Sequence, residues 1–171
     1  MSALVYVGID PGQSGALVAI SEEGRLIAAH RTPLFHGMFD VRAAAAIFES
    51  LPRPFVALIE AAIPTGRSKT AYADSGFLAI KRSIAGWRAA TRETIPSVSP
   101  RQWQSRVLEG IPGETTKEQS VEWCRRALPE LNLLPGKCRN PHDGLADAAC
   151  LAEYFRLCKG VVPSPGGRRR K

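Results

Sequence analysis

Four carboxylates stand out because of where they occur along the chain. Asp10 and Glu60 each end a short apolar run, and Asp143 and Asp147 lie four residues apart in a segment rich in alanine and leucine. An isolated acid at such a position often caps a helix or faces solvent, but four acids in one cleft would raise one another's pKa unless a cation compensated them. Carboxylate oxygens favour Mg²⁺ or Mn²⁺ over zinc. Two such ions, roughly 3.5 to 4 Å apart, can clamp the attacking water and the leaving oxygen of a phosphodiester. The four acids therefore predict a two-metal nuclease site.

The first acid must be positioned by a strand. The run from Leu4 to Ile9 is short and rich in β-branched and aromatic residues, which indicates a buried strand that ends at Asp10. Pro11, Gly12 and Gly15 then permit a tight reversal into a second apolar run at 16–20. We expect a hairpin that holds Asp10 beside its partner strand, with a third strand at 26–29.

Glu60 repeats this pattern at the end of another apolar run. Residues 55–59 read Phe-Val-Ala-Leu-Ile and stop abruptly on the carboxylate. Two acids at the ends of two buried strands can converge at one edge of a sheet.

The last two acids open a predicted helix. Apolar residues recur at spacings of three and four from Leu145 to Phe155, which is typical of an amphipathic helix. The pair Asn-Pro at 140–141 is a plausible start signal. In a helix, Asp143 and Asp147 share one face, with Cβ atoms roughly 5 to 6 Å apart. Both carboxylates would then point the same way.

The remaining segments complete an α/β pattern. They predict a helix at 41–51, an amphipathic helix at 76–90, a short strand at 94–100, and helices at 101–108 and 115–128. Thr115 and Glu118 have the spacing of a capping box. The order of three strands, helix, strand, helix, strand and further helices is the ribonuclease-H-like plan, a five-stranded mixed sheet flanked by helices.

Size and charge indicate one domain with a basic end. We assign residues 1–160 of the 171-residue chain to the ribonuclease-H-like domain and residues 161–171 to a disordered basic tail. The net charge is +7, and the last four residues are all basic, so the rest carries only +3. The tail suits either a polyanion or simple solubilisation. No secretory signal or membrane-spanning run is evident, so we expect a cytoplasmic protein with four reduced cysteines.

Several cations are candidate contacts to nucleic acid phosphates, although each is equally explained as a solvated charge. They are Arg67, Lys69, Lys81, Arg82, Arg101 and Lys117. Trp103 and Trp123 are expected to pack in the interior; stacking on a base is the lesser alternative.

Three ordered motifs resemble the RuvC-type Holliday-junction resolvases of the ribonuclease-H-like superfamily. The motifs are residues 8–12 (Gly-Ile-Asp-Pro-Gly), 58–60 (Leu-Ile-Glu) and 143–148 (Asp-Gly-Leu-Ala-Asp-Ala). The resemblance spans all but the tail. It implies a homodimer that binds a four-way DNA junction and cuts two opposing strands symmetrically. It also implies two Mg²⁺ ions, replaceable by Mn²⁺, held by Asp10, Glu60, Asp143 and Asp147, and no nucleotide cofactor. In the family, the helix after the fourth strand contributes to the dimer interface.

Two departures from the bacterial pattern point to the phage and organellar branch. Many bacterial RuvC proteins space the last two acids three apart, not four, and place Gln and an aromatic after the central glutamate. This chain has Ala-Ala-Ile-Pro at 61–64, more similar to the plant chloroplast resolvase. We therefore expect a phage or prophage resolvase acting in the host cytoplasm. His142, beside Asp143, is either an aid to water or leaving group or a surface residue.

Other functions stay open on the sequence alone. The actin and sugar-kinase group also opens with a strand, an Asp and a glycine turn, but needs a second phosphate loop and about twice the length. A non-catalytic junction-binding protein would not need the four acids. A related nuclease that cuts RNA, forks or flaps would use the same metal chemistry.

Overall fold

The structure is a computed structural model that describes residues 3–61 and 71–162, with the backbone alone for 71–75. The predicted phosphate contacts Arg67 and Lys69, and residues 163–171 of the predicted tail, lie outside the described residues. Every other candidate site residue lies within them.

The elements follow the predicted order. The strands are β1 Val5–Asp10, β2 Ala16–Ile20, β3 Leu26–Arg31, β4 Leu34–Phe35, β5 Met38–Phe39, β6 Phe55–Glu60 and β7 Ser97–Val98. The helices are α1 Val41–Ser50, α2 Ala71–Ala89, α3 Pro100–Val107, α4 Thr116–Ala127 and α5 Asp143–Leu157. The Thr115 hydroxyl and the Glu118 side chain form the predicted capping box of α4.

Five strands form the predicted mixed sheet, in the order β3-β2-β1-β6-β7. The strands β1 and β2 form the predicted antiparallel hairpin, while β6 runs parallel to both β1 and β7. The carboxyl ends of β1, β6 and β7 therefore meet at one edge. The five-stranded, ribonuclease-H-like fold class is confirmed.

Alternation along the strands divides the interior into two layers. Val7, Ile9 and Ile59 pack on one face of the sheet with Phe48 of α1 and Trp87 of α2. The residues between them, such as Tyr6 and Leu58, face the other side, where α3, α4 and α5 pack. Since successive side chains of a strand point to opposite faces, Asp10 and Glu60 fall on the α5 side.

The helix α5 lies directly against β1. A Cβ added at Gly8 would clash with backbone atoms of Ala148 and Ala152 and lie 2.9 Å from the carbonyl carbon of Leu151. Only a residue without a side chain permits this approach. The contact brings the first turn of α5 over the end of β1.

Two features differ from the sequence expectations. Helix α2 begins at Ala71, so a start at Gly76 is wrong. Gly76 is a helix-interior glycine, and in the part of the chain that the structure describes no atom lies within 4 Å of an added Cβ. The β4–β5 hairpin, which turns through His36 and Gly37, both at positive φ, was not predicted from the sequence. None of the described helices is long and apolar enough to cross a membrane.

Candidate active site

Asp10 and Glu60 lie side by side at the carboxyl edge of the sheet. In the parallel pairing of β1 with β6, Ile9 is opposite Ile59, so the following residue of each strand is a carboxylate. Both acids are partly buried on the face that α5 covers. The predicted convergence of these two acids is present in the fold.

The first turn of α5 brings the other two acids to this edge. Asp143 is the first residue of the helix and Asp147 lies one turn later, so both face the same way. A Cβ added at Gly144 would lie 3.0 Å from Asp10 Oδ2 and would clash with the Ser14 carbonyl oxygen. The helix start is therefore packed directly onto the turn that follows Asp10.

The acids share one electrostatic environment, which is clearest at Asp10. Burial raises the pKa of Asp10 well above its usual range, and the charges of Asp147, Glu60 and Asp143, in decreasing order, raise it further. Each of these negative charges makes ionisation of the Asp10 carboxyl less favourable. The fold thus concentrates negative charge where the protein alone stabilises it poorly.

Glu60 and Asp147 are also perturbed. Burial raises the pKa of Glu60 to about 7, although a hydrogen bond from Trp103 opposes the shift. Burial raises the pKa of Asp147 to about 6, with a hydrogen bond from Ser120 acting in the opposite direction. Near neutral pH these groups can lose or retain a proton according to what binds beside them.

Lys117 supplies a compensating positive charge. Its Nζ lies 2.6 Å from Asp143 Oδ2, and both side chains are substantially exposed. Its charge also lowers the pKa of Asp10 and Asp147. The sequence predicted Lys117 only as a phosphate contact. Its ion pair with Asp143 was not predicted, because the pair forms only when α4 packs against α5.

Trp103 holds Glu60, the acid at the end of β6, in place. Its Nε1 donates a hydrogen bond of 2.7 Å to Glu60 Oε2, and its side chain is completely buried. Burial confirms the packing role that the sequence favoured and excludes base stacking. The hydrogen bond to Glu60 could not be predicted from a local sequence pattern, because the two residues are 43 positions apart.

His142 is the N-cap of α5. Its Nδ1 accepts a hydrogen bond of 3.2 Å from the Leu145 backbone N–H, and its own backbone N–H donates to the Leu133 carbonyl oxygen. Burial, followed by the charge of Arg31, lowers the pKa of His142. The imidazole thus has a capping role that places Asp143 at the first helical position.

The donor set fits a hard divalent cation. It consists of carboxylates whose pKa values are raised by burial and by one another, with no thiolate, and such groups gain most from a nearby cation. Among residues 3–61 and 71–162, however, no three His, Cys, Asp or Glu side chains are arranged to hold an ion at one point. The four acids therefore form an open, mutually repelling cluster and not a closed cage.

The other described basic candidates lie on α2 and α3. Lys81 and Arg82 are exposed on α2, where Lys81 Nζ lies 5.2 Å above the Phe77 ring. Arg82 lines a cavity together with the turn after Asp10. Arg101 is exposed on α3. Contact of these residues with DNA stays a prediction.

Comparisons with known proteins agree with the fold. No protein-family model matches the chain, and neither does any curated protein. Among solved structures, RuvC of T. thermophilus in complex with a Holliday-junction substrate is similar, with 17% identity and a TM-score of 0.58 over 91% of this chain and 94% of that chain. A second Thermus thermophilus RuvC structure is 20% identical, with a TM-score of 0.51 over 91% of this chain and 97% of that chain. The chain therefore has the ribonuclease-H-like fold of RuvC.

Proposed function

We propose that this protein is a structure-selective endodeoxyribonuclease that resolves four-way DNA junctions by paired, symmetric cuts. The observation that carries the proposal is the convergence of Asp10, Glu60, Asp143 and Asp147 at one sheet edge. It is supported by a fold shared with a protein whose structure contains a Holliday junction.

The four acids would hold two Mg²⁺ ions, with Mn²⁺ as a substitute. When bound, the ions would supply the Lewis-acid stabilisation of the charge that develops on the phosphodiester oxygens. Trp103 fixes one oxygen of Glu60, which leaves the other oxygen for a ligand. Lys117 lies on the exposed side of the cluster, where its charge can meet a DNA phosphate as well as Asp143. The product ends expected for the family are a 5′-phosphate and a 3′-hydroxyl.

Paired cutting requires two copies of the site, so we propose a homodimer. Helix α2 presents Leu78 to solvent, 47% exposed, on the helix that forms part of the dimer interface in the family that the chain resembles. Two active sites at a fixed separation would select a branched substrate by its shape, while backbone contacts would supply affinity.

Within the resolvases we place the chain nearer the phage and organellar branch. Asp147 follows Asp143 by four positions and not by three, and the segment after Glu60 lacks the bacterial Gln-aromatic pair. The corresponding location would be the cytoplasm of a bacterial host.

Cleavage of defined DNAs tests the proposal. Purified protein is incubated with a labelled immobile four-way junction, a matched duplex and a flap, with and without Mg²⁺, beside the variant Asp10→Asn. Paired, Mg²⁺-dependent cuts confined to the junction are expected, with none from the variant. The variant should still bind the junction, because a repulsive charge has been removed.

Other results lead to different conclusions. Preferred cutting of flaps or RNA would keep the nuclease and reject the resolvase. Tight junction binding without any cutting by the wild-type protein would indicate an architectural protein. Loss of binding in step with cleavage in both Asp10→Asn and Asp147→Asn would contradict the assignment of these acids as metal ligands.

A further inference from the structure

Arg31 ends β3 at the edge of the sheet where the four acids lie. In the antiparallel pairings, Asp10 of β1 is opposite Ala16 of β2, and Ala16 is in turn opposite Arg31. Neighbouring strands are about 4.8 Å apart, so the Cα atoms of Asp10 and Arg31 are separated by roughly 10 Å. The arginine is therefore two strands away from the first acid, in the same row of the sheet.

The Arg31 side chain lies on the face of the sheet that α5 covers. Residues directly opposite each other in a sheet point to the same face, and Ala16 belongs to the layer that packs against α5. His30, which is opposite Leu17, falls on the other face. Arg31 is exposed, so its guanidinium can meet a ligand from solvent on the side where the acids lie.

The Arg31 guanidinium has no partner within the described part of the chain. None of the ion pairs or side-chain hydrogen bonds there includes it. Lys117, by contrast, is already paired with Asp143 at a distance of 2.6 Å. A guanidinium presents five N–H donors and stays charged at any working pH. Arg31 can therefore bind an anion without first giving up a protein partner.

His142 supplies a second donor close to Arg31. Burial, and then the charge of Arg31, lower the pKa of His142, which places the two side chains near each other. The Nδ1 atom of His142 accepts the Leu145 backbone N–H at 3.2 Å, so in the neutral ring the proton is on Nε2. The ring is only partly buried. The corner between the end of β3 and the start of α5 therefore carries a guanidinium and an imidazole N–H.

Phosphate is the anion that best suits this pair of donors. A guanidinium binds a phosphate group through two parallel N–H···O bonds. His142 directly precedes Asp143, and Arg31 shares a row with Asp10, so the corner adjoins the acids on two elements. A DNA strand whose scissile phosphate lies at the acids has its next phosphate only one nucleotide away. That phosphate falls within the reach of a long arginine side chain at this corner.

We propose that Arg31 and His142 form a subsite for the phosphate next to the scissile one in the DNA strand that is cut. Arg31 donates paired hydrogen bonds to the non-bridging oxygens of this phosphate, and the His142 Nε2–H donates a third. The subsite fixes the register of the strand, so that one linkage and not its neighbour lies at the acids. This inference rests on the proposed function, because it states where the substrate of that same site is held.

Neutral linkages placed one at a time in the DNA test the subsite. Four-way junctions carry a methylphosphonate, which removes one phosphate charge, at successive positions around the cut, and binding is measured with Asp10→Asn protein so that the strands stay intact. Adding Arg31→Met should weaken binding of the unmodified junction roughly three- to thirtyfold. At one linkage next to the cut, the neutral group should weaken binding by itself, and Arg31→Met should then cause no further loss. Dependence on a single linkage identifies a DNA phosphate, and not free phosphate, as the ligand.

Conservative variants separate binding from structure. Asparagine is a good N-cap residue, so His142→Asn keeps the cap of α5 but removes the Nε2–H. It should weaken binding roughly two- to tenfold, with the same linkage dependence and an unchanged Tm. Arg31→Lys should restore part of the affinity, because it keeps the charge but not the paired donors.

Arg25→Met is the matched control for the arginine. Arg25 is exposed just before the opposite end of β3, so its loss should change neither the affinity nor the dependence on one linkage. If Arg31→Met costs the same affinity whichever linkage is neutral, the arginine acts only as a general charge and the subsite is overturned.

Cleavage assays keep the two proposals apart. With Asp10 intact, Arg31→Met should spread the cuts over neighbouring linkages, because the strand is no longer held in one register. If wild-type protein cuts the junction, but neither the affinity nor the cut position depends on Arg31, the subsite is wrong and the resolvase stands. If a flap is cut and the junction is not, and the single-linkage dependence on Arg31 appears with the flap, the resolvase is wrong and the subsite stands. Absence of binding and cutting with every DNA rejects both.

Discussion

The indole Nε1 of Trp103 donates a 2.7 Å hydrogen bond to Oε2 of Glu60, from a completely buried side chain on α3 to the acid that ends β6. The bond lowers the pKa of Glu60, which burial raises to about 7. A residue outside the acid cluster thereby controls both the orientation and the charge of one of its members.

Trp103→Phe should impair the site more than the fold. Phenylalanine keeps a smaller aromatic ring but has no N–H donor, so the pKa of Glu60 should rise and the pH at which cleavage reaches half its maximum should move upward. Loss of such an outer hydrogen bond typically costs about ten- to hundredfold in metal affinity or activity. A pH–rate profile with a Mg²⁺ titration measures this.

Trp87→Phe is the matched control for this substitution. Trp87 is equally buried, but it packs on the other face of the sheet and its Nε1 has no hydrogen-bond partner among the described residues. The control should leave the pH profile unchanged. Equal shifts in both variants would mean that the effect comes from packing and not from the bond to Glu60.

The metal-free protein should lose stability as the pH rises through the acid range. Because folding raises the pKa of Glu60 from 4.5 to about 7, the stabilisation from its protonated form is complete below about pH 4.5 and lost by about pH 7. The difference is at most about 3 kcal/mol, and Asp147 acts in the same direction. Thermal unfolding at a series of pH values measures it.

Two further measurements sharpen this prediction. Glu60→Gln should raise the metal-free Tm at pH 8 by several degrees, whereas Glu109→Gln at an exposed position should not. Mg²⁺ should raise the Tm of wild-type protein more at pH 8 than at pH 5, because binding requires the ionised carboxylates. A Tm of the metal-free protein that is constant from pH 4.5 to 8 would contradict the raised pKa values of Glu60 and Asp147.

Gly144→Ala should disturb the site through the backbone. The added Cβ would clash with the Ser14 carbonyl oxygen and lie 2.8 Å from Gly15 Cα, so α5 must move away from the turn after Asp10. We expect a loss of about 1 to 3 kcal/mol in the free energy of unfolding and a large loss of cleavage. Gly76→Ala is the control, since that position on α2 is open and alanine should stabilise the helix by about 1 kcal/mol. Equal free energies of unfolding for the Gly144 variant and the wild type would show that the turn after Asp10 can move without loss of stability.

Lys117→Met should have opposite effects on metal and DNA binding. Removing the charge that pairs with Asp143 leaves the acids less compensated, so Mn²⁺ should bind up to about fivefold tighter in calorimetry without DNA. Loss of a phosphate contact should weaken junction binding and reduce its salt dependence by about one counterion. Lys137→Met, on the exposed loop before α5, should do neither. Weaker Mn²⁺ binding in the Lys117 variant would show that this lysine organises the acids and does not compete with the ion.

The five strands of the main sheet, the presence of five helices and the placement of the four acids could all be predicted from the sequence. Apolar runs that stop at Asp10 and Glu60 mark strand ends, and the four-residue spacing of Asp143 and Asp147 defines one helical face. These signals are local, because strand alternation and helical periodicity are written in consecutive residues. Parallel pairing of β1 with β6 then suffices to bring the first two acids together.

The neighbours of those acids depend on long-range packing and could not be predicted from the sequence. The pairing of Trp103 with Glu60 and of Lys117 with Asp143 joins residues 43 and 26 positions apart, and no local pattern encodes such contacts. The β4–β5 hairpin escaped prediction because its strands have two residues each, too few to show a period. Its position depends on the packing of Phe39 against Trp87 from a distant helix. Local chemistry thus fixed which residues can act, whereas long-range packing fixed their neighbours and their charge.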